Sequence, residues 1–466
     1  MKKVMPYETA SYQFNGRKAI PWILFIMFFG VLNETVFNLS TPKVADQYDL
    51  SPAGVSWIIT VFVITFSIGT VVYGKLADMF SIRSLITSGL FIYALGAVVG
   101  FFLQHWYVAI LIGRAIQGVG ASAIPALIMV VAARYYKAAD RSKLFGVLAS
   151  TSSFAIGIGP VIGGIVSAYI HWSTLFLLSF FPLLSIRYFR RAFPVEARRT
   201  GNLDITGLLM LSISVSAFVF WCTNPSMWWL ILLGIVALFA FIWRIRTAAN
   251  PFVQPELFKS WSYCAGLVTG MLLFVVMAGI PFILPLFLSG VHAFDTDRIG
   301  FMLFPGTMSA VVFGTIAGRL TASKGANYVT YIGLLVVAAA LLGVVVMMTQ
   351  WIGITVMLIP LYIGFAFVQT GLWDKMAQVI PPEMMGVGMG FFTLAAQIFG
   401  AFGTAGIAQM MDHHWLSRPI IPLLDQGAST SYGNLFIGFS ALMIIAWMLF
   451  YKTFAGKGRP VLHKRK

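Results

Sequence analysis

Residues 66–83 read FSIGTVVYGKLADMFSIR, and the fold turns on this stretch. Its first part closes an apolar run over 54–77, and a second apolar run follows over 84–104. Each is near the roughly 20 residues that a helix needs to cross a bilayer. Between them Gly74-Lys75-Leu76-Ala77-Asp78, with Arg83, makes a short charged turn. The same glycine-basic-leucine element returns as Gly318-Arg319-Leu320-Thr321-Ala322 after a later run. Corresponding turns in two places indicate a duplicated bundle of spans.

Working outward, the apolar runs number fourteen: 20–41, 54–77, 84–104, 107–130, 143–168, 172–192, 205–223, 227–246, 262–289, 299–319, 328–349, 352–372, 384–411 and 433–453. The predicted fold is an all-α polytopic membrane protein. It has a cytoplasmic segment 1–19, a six-helix bundle 20–193, an inserted helix pair 204–246, a second six-helix bundle 262–453 and a basic tail 454–466. Over 466 residues, 59% are hydrophobic and 10% charged, with mean hydropathy +0.88. A soluble domain is usually about 25% charged, so that class is excluded. The turns holding Lys75 and Arg83, Arg134 to Lys143, Arg187 to Arg199, Arg244 to Lys259, Arg319 and Lys324, and Lys375 alternate with turns holding little beyond Lys43, Arg298 and Arg418. With the termini counted, about 27 of the 31 basic residues fall on one side, which predicts that both termini are cytoplasmic. The net charge of +16 therefore reads as membrane orientation and not as a nucleic-acid surface. Cys222 and Cys264 lie inside apolar runs, so no disulfide framework is expected. No short apolar segment with a cleavage site follows the basic N-terminal stretch, so the first run is expected to be retained.

Few ionisable residues lie deep in these runs. Glu34 stands roughly 21 Å from the cytoplasmic end of the first span at 1.5 Å per residue. Arg114 stands roughly 10 Å from the outer face in the fourth span, at a similar depth. An intramembrane acid usually faces a cavity, finds a partner or carries protons. The pair is a candidate proton-coupling device: close to Arg114, Glu34 would stay ionised, and apart from it Glu34 would take a proton. The alternatives are a fixed ion pair, or a glutamate satisfied by Asn33 and Asn38. Asp204 begins the seventh span, where an aspartate caps free amides. Gly157-Ile158-Gly159-Pro160, continuing to Gly163-Gly164, lets helices approach closely and bend, as suits an interface between rocking halves. Pro281 and Pro285 break the ninth run. Asp374 and Lys375 are expected as an interfacial pair at the end of the twelfth. Asn38, Gln117, Ser152, Ser153 and Gln397 are candidate cavity groups. Adjacent His413 and His414 are poor metal-ligand spacing, and no resident metal is expected.

Three motifs resemble the major facilitator superfamily: the Gly74–Asp78 turn with Arg83, Arg114-Ala115-Ile116-Gln117-Gly118, and Gly157–Gly164 as an exporter signature. Longer stretches, including VLNETVFNLSTPKVA (31–45), IPALIMVVAARY (124–135) and FPGTMSAVVFG (304–314), resemble fourteen-helix drug:proton antiporters, in particular class K and class L tetracycline efflux proteins. The resemblance implies a 6+2+6 facilitator fold in a bacterial cytoplasmic membrane, with Glu34 and Arg114 on a central cavity. It also implies gating by Gly74, Asp78 and Arg83, and a second coupling role for Asp204. Tetracycline would be carried as a divalent-metal complex, driven by the proton gradient, by a chain that binds no cofactor and works as a monomer. Three family acids are missing, at Ile156, Ala322 and Gly400, which leaves another amphipathic drug or a lipophilic or monovalent cation as the alternative substrate. No phosphate-loop motif is present and no nucleophile–base set converges, which speaks against an ATP-driven pump and against the alternative of a different class, a non-transporting membrane sensor or enzyme.

Overall fold

The structure is a computed structural model describing residues 16–37, 40–50, 52–193, 203–223, 226–248, 251–294, 296–412, 416 and 429–455. Among these residues there are no strands, and fourteen helices are long and apolar enough to cross a membrane. They are α1 (Gly16–Thr35), α2 (Pro52–Ala77), α3 (Ile82–Phe102), α4 (Tyr107–Tyr135), α5 (Ala138–Tyr169), α6 (Trp172–Ala192), α7 (Ile205–Thr223) and α8 (Trp229–Thr247). The second half holds α9 (Trp261–His292), α10 (Thr296–Lys324), α11 (Ala326–Val346), α12 (Trp351–Val379), α13 (Met385–Asp412) and α14 (Ser429–Phe454). The tail beyond 455, His413, His414 and the cavity candidate Asn38 lie outside the described residues.

The two bundles repeat at one offset. Gly74 and Gly318 are 244 positions apart, as are Asp78 and Ala322. The same offset lays the 21-residue α3 on the 21-residue α11 and the 29-residue α4 on the 29-residue α12. In lipid, apolar surface alone gives helices no reason to associate, so they pack by close backbone approach. The bundles meet in this way near the end carrying the basic turns. A Cβ on Gly74 of α2 would stand 2.2 Å from the Gly386 carbonyl oxygen of α13. One on Gly146 of α5 would stand 2.5 Å from Gly318 Cα of α10, and Ser150 Oγ bonds Thr315 Oγ1 at 3.2 Å across the same seam. The halves are closed upon one another at this basic end.

Several helices differ from the predicted spans at their ends, and two of these differences bear on candidate residues. The first, placed over 20–41, stops at Thr35 and turns through Val36 and Phe37. A separate helix, Thr41–Tyr48, then starts with proline in its first turn, where the missing N–H has no helical partner to lose. It is held by Trp172 Nε1 donating to Gln47 Oε1 at 2.7 Å and ends at Asp49 in the left-handed region, φ 52°. The twelfth span, placed over 352–372, continues to Val379. Asp374 is therefore inside a helix and 2% exposed, not at an interfacial turn.

The inserted pair α7–α8 lies across the seam between α2 and α13. Phe220 packs on Trp57 of α2 at 4.5 Å between ring centroids, while Phe218 packs on Phe402 of α13 at 5.4 Å.

Candidate functional site

Arg114 is fully buried in α4. Its Nη1 donates to Asn33 Oδ1 at 2.7 Å and to Gln117 Oε1 at 3.1 Å, and its Nε donates to the Ile58 carbonyl at 3.1 Å. Phe37 and Phe62 stand with ring centroids 4.4 and 4.1 Å from the guanidinium carbon. A desolvated contact of this kind is worth about 2 kcal/mol. Gln117 Nε2 and Asn33 Nδ2 donate in turn to Ser179 Oγ of α6 at 2.7 and 3.3 Å. One donor nitrogen is left over with both of its N–H groups: Arg114 Nη2 is buried with no hydrogen-bond partner among the described residues. An unmet buried donor costs about 1–3 kcal/mol, so it marks a place that another group could fill.

Glu34 is half-buried beside this network, next in sequence to Asn33. Arg114 is the charge that acts on it, yet no ion pair within 4.0 Å joins them. The partner that α1 gives Arg114 is Asn33 and not Glu34. The expected direct pair is thus absent from this form, and so is satisfaction of Glu34 by Asn33, whose oxygen and nitrogen are both engaged. Gln117, expected on the cavity, is fully buried inside the first bundle. Ser152 is buried with an unpartnered hydroxyl, while Ser153 and Gln397 are half-buried.

The exporter signature packs α5 chiefly against its own bundle, not against the other half. Cβ atoms on Gly159 and Gly163 would stand 2.0 Å from Thr35 Oγ1 and 2.0 Å from the Val36 carbonyl oxygen, where α1 ends. Of the segment, Gly157 faces the other half, with Thr307 Oγ1 at 3.3 Å. Pro160 lies within the continuous α5 helix, and Gly164 is half-buried beside Gly163. The α1 turn that carries Glu34 is therefore braced from behind by residues with no side chain in the way.

At the basic end Asp78 accepts from Arg134 Nη2 at 2.6 Å and from the Gly386 N–H at 3.4 Å. Its partner is Arg134, at the end of α4, while Arg83, the other charged member of the expected gating loop, is half-buried. Burial pushes the Asp78 carboxyl up to about 6, against the opposing pull of Arg134 and the Gly386 and Val387 N–H groups. Asp204 accepts from the Gly207 N–H at 3.1 Å, as a helix cap should, and pairs with Arg244 Nη2 at 3.1 Å. Burial acts to raise its carboxyl, but the Gly207 N–H and Arg244 outweigh it and hold the group below its ordinary value. Arg141 and Asp374, not foreseen together, form a buried pair between the bundles at 2.8 Å. The sequence signal for Arg134 and Arg141 was present, since both sit in basic turns, but spacing alone does not tell a solvated arginine from a paired one. Among the described residues no group of three His, Cys, Asp or Glu side chains could hold a metal ion.

Comparison with known proteins agrees with this architecture. The chain is 22% identical over 400 residues to the riboflavin transporter RibZ of Clostridioides difficile, covering 82% of this chain and 87% of that protein. It is 25% identical over 390 residues to the lincomycin resistance protein LmrB of Listeria monocytogenes, covering 81% and 83%. It is also 25% identical over 425 residues to the multidrug transporter protein MdtP of Bacillus subtilis, covering 87% and 78%. The human organic anion transporter MFSD10 superposes with a TM-score of 0.68 at 16% identity, over 93% of this chain and 99% of that one. The proton:xylose symporter XylE gives 0.63 at 15% identity, over 94% and 96%. The sequence profile of the Major Facilitator Superfamily matches residues 23–404, and the chain belongs to that family of membrane transporters.

Proposed function

We propose that the protein is a proton-coupled exporter of tetracycline, taken as a complex with a divalent metal, in the bacterial cytoplasmic membrane. The basic end is the cytoplasmic side and both termini lie there. The form described here, closed at that end, is then outward-facing. The observation that carries the reading is the unmet Nη2 of Arg114 beside the unpaired Glu34. Seated on Nη2, the Glu34 carboxylate keeps its charge. Held away from it, as here, the group takes a proton from the outer side. Rocking of the α1 turn against α4 would carry Glu34 between these two seats and so exchange a proton for a drug. Lincomycin resistance and multidrug transport in the names of relatives support drug export as the direction of work. Tetracycline itself rests on the sequence resemblance around Glu34, Asp78 and Asp204.

A second reading, export of a different amphipathic drug or a lipophilic cation by the same device, is favoured by Ile156 and Gly400. Ile156 is 42% exposed, so α5 presents an apolar group where the tetracycline proteins carry an acid. Gly400 of α13 likewise presents no charge where those proteins carry an acid, and a Cβ there would stand at ordinary contact distance, 3.4 Å, from Ala278 Cβ and the Phe274 oxygen.

Everted vesicles with a respiration-generated proton gradient test both readings. Tetracycline with magnesium is expected to release protons from wild-type vesicles and not from Glu34→Gln vesicles. No release with expression confirmed rejects tetracycline and turns the assay to a lipophilic-cation panel. Release that persists in Glu34→Gln rejects Glu34 as the coupling group.

A further inference from the structure

Two opposite charges are buried where the bundles meet at the basic end. Arg141 Nε in the first turns of α5 donates to Asp374 Oδ1 of α12 at 2.8 Å, with side chains 11% and 2% exposed. Gln378 Nε2 donates to the other carboxylate oxygen at 2.8 Å. Neither charge suits its own helix. An arginine at a helix start meets the positive end of the dipole, and Asp374, more than a turn before Val379, lies too far inside α12 for a helix end to favour it. Local helix stability therefore explains neither residue, and each is explained by the other.

The duplication sharpens the point. The 244-residue offset carries Asp78, Arg134 and Ser142 onto Ala322, Gln378 and Gly386. In the first arrangement the turn acid Asp78 takes Arg134 from its own bundle and reaches the Gly386 N–H at the start of α13. In the second arrangement the turn acid is gone and its arginine is Gln378. Arg141 and Asp374 fall on Met385 and Val130, so the pair has no counterpart in the other half. One turn back from Gln378, Asp374 reaches the start of α5 much as Asp78 reaches the start of α13. It does so through a side-chain charge and not through a backbone N–H.

We propose that Arg141 and Asp374 form a second latch between the bundles, replacing the turn acid lost at Ala322 and holding the basic end shut separately from Asp78 and Arg134. Both are positioning residues. The proposal rests on the alternating-access reading above but on neither the drug nor the coupled ion. The pair is stable when closed and aligned, or when open and hydrated. Removing one partner strands a buried charge, which strongly disfavours the closed form.

The test reads opening directly. Thr321 follows Gly314 and Gly318 on the α10 face against α5, is 3% exposed, and has a hydroxyl with no partner. Thr321→Cys therefore breaks no hydrogen bond. The full chain, with Cys222→Ser and Cys264→Ser, is purified in detergent and labelled with a maleimide without drug or gradient. A matched Ser214→Cys protein reports general loosening, since Ser214 is buried within the α7–α8 pair. Asp374→Asn is expected to speed labelling at position 321 about tenfold or more and to leave position 214 unchanged. The swap Arg141→Asp with Asp374→Arg is expected to return the rate to within about threefold of the parent. An unchanged rate in Asp374→Asn, a swap as fast as the single variant, or equal acceleration at both positions overturns the latch. If Asp374→Asn does not survive purification, Gln378→Leu keeps both charges and removes one bond to the carboxylate. It should then label about threefold faster at 321, and an unchanged rate overturns the proposal equally. Because no substrate enters the assay, failure of the tetracycline or Glu34 assignment leaves this result readable.

Discussion

Asp78 is a carboxylate held among N–H donors and an arginine at the edge of the membrane, and its titration is coupled to the stability of the fold. Burial raises the carboxyl to about 6 from its ordinary 3.8, so the native form binds a proton more readily than an unfolded chain does. Its contribution to stability is therefore fully present below about pH 4 and is lost as pH rises through about 6. Asp78→Asn, which cannot ionise, escapes that loss. In detergent, the unfolding temperature of Asp78→Asn minus that of wild type is expected to grow more positive between pH 5 and pH 8. A difference that stays flat or falls over that range would show that Arg134 and the Gly386 and Val387 N–H groups outweigh burial. Arg114 teaches the complementary lesson. The motif around it was legible as a buried arginine, but its partners were not, because Asn33 and Glu34 are adjacent and depth alone cannot say which of them faces α4.

At the scale of the element, glycine positions separate helices that must touch from helices that only lie near. Gly163 has no room, with the Val36 carbonyl oxygen 2.0 Å from where a Cβ would stand. Gly163→Ala must push α5 from the end of α1, and overpacking of this kind costs about 1–3 kcal/mol. Gly400 has ordinary contact distances, with its nearest neighbours at 3.4 Å. Gly400→Ala is expected to leave the unfolding temperature in detergent within a degree or two, while Gly163→Ala lowers it by several degrees. Equal effects would mean that the α1–α5 contact adapts freely. The exporter signature was legible as tight packing. Which helix it packs against was not, since a small-residue stripe specifies a close approach but no partner.

Across the whole molecule the bundles are joined by more than the basic end. The pair α7–α8 lays one aromatic group on Trp57 of the first bundle and two, Phe218 and Trp221, on Phe402 of the second. Any rocking of the bundles must slide or break these ring contacts, each worth about 0.5–1.5 kcal/mol beyond burial. Phe402→Ala removes both contacts on the second bundle. It is expected to lower stability by about 1–3 kcal/mol while leaving the Thr321→Cys labelling rate within about twofold, because the seam it loosens is remote from the basic latches. Labelling as fast as in Asp374→Asn would mean that the inserted pair also governs closure.

The chain by itself determined the number of spans, their duplication and the asymmetry of basic residues, because hydrophobic length and charge placement are properties that a bilayer reads one segment at a time. It also determined where chemistry was to be sought, since an acid such as Glu34 deep in an apolar run needs a reason to be there. Tertiary structure alone decided the pairings: Arg114 with Asn33, Asp78 with Arg134 and Gly386, and Arg141 with Asp374. Each of these joins residues from about 55 to more than 300 positions apart. Helical periodicity fixes the face on which a side chain stands, but the rotation and depth of two packed helices decide which faces meet.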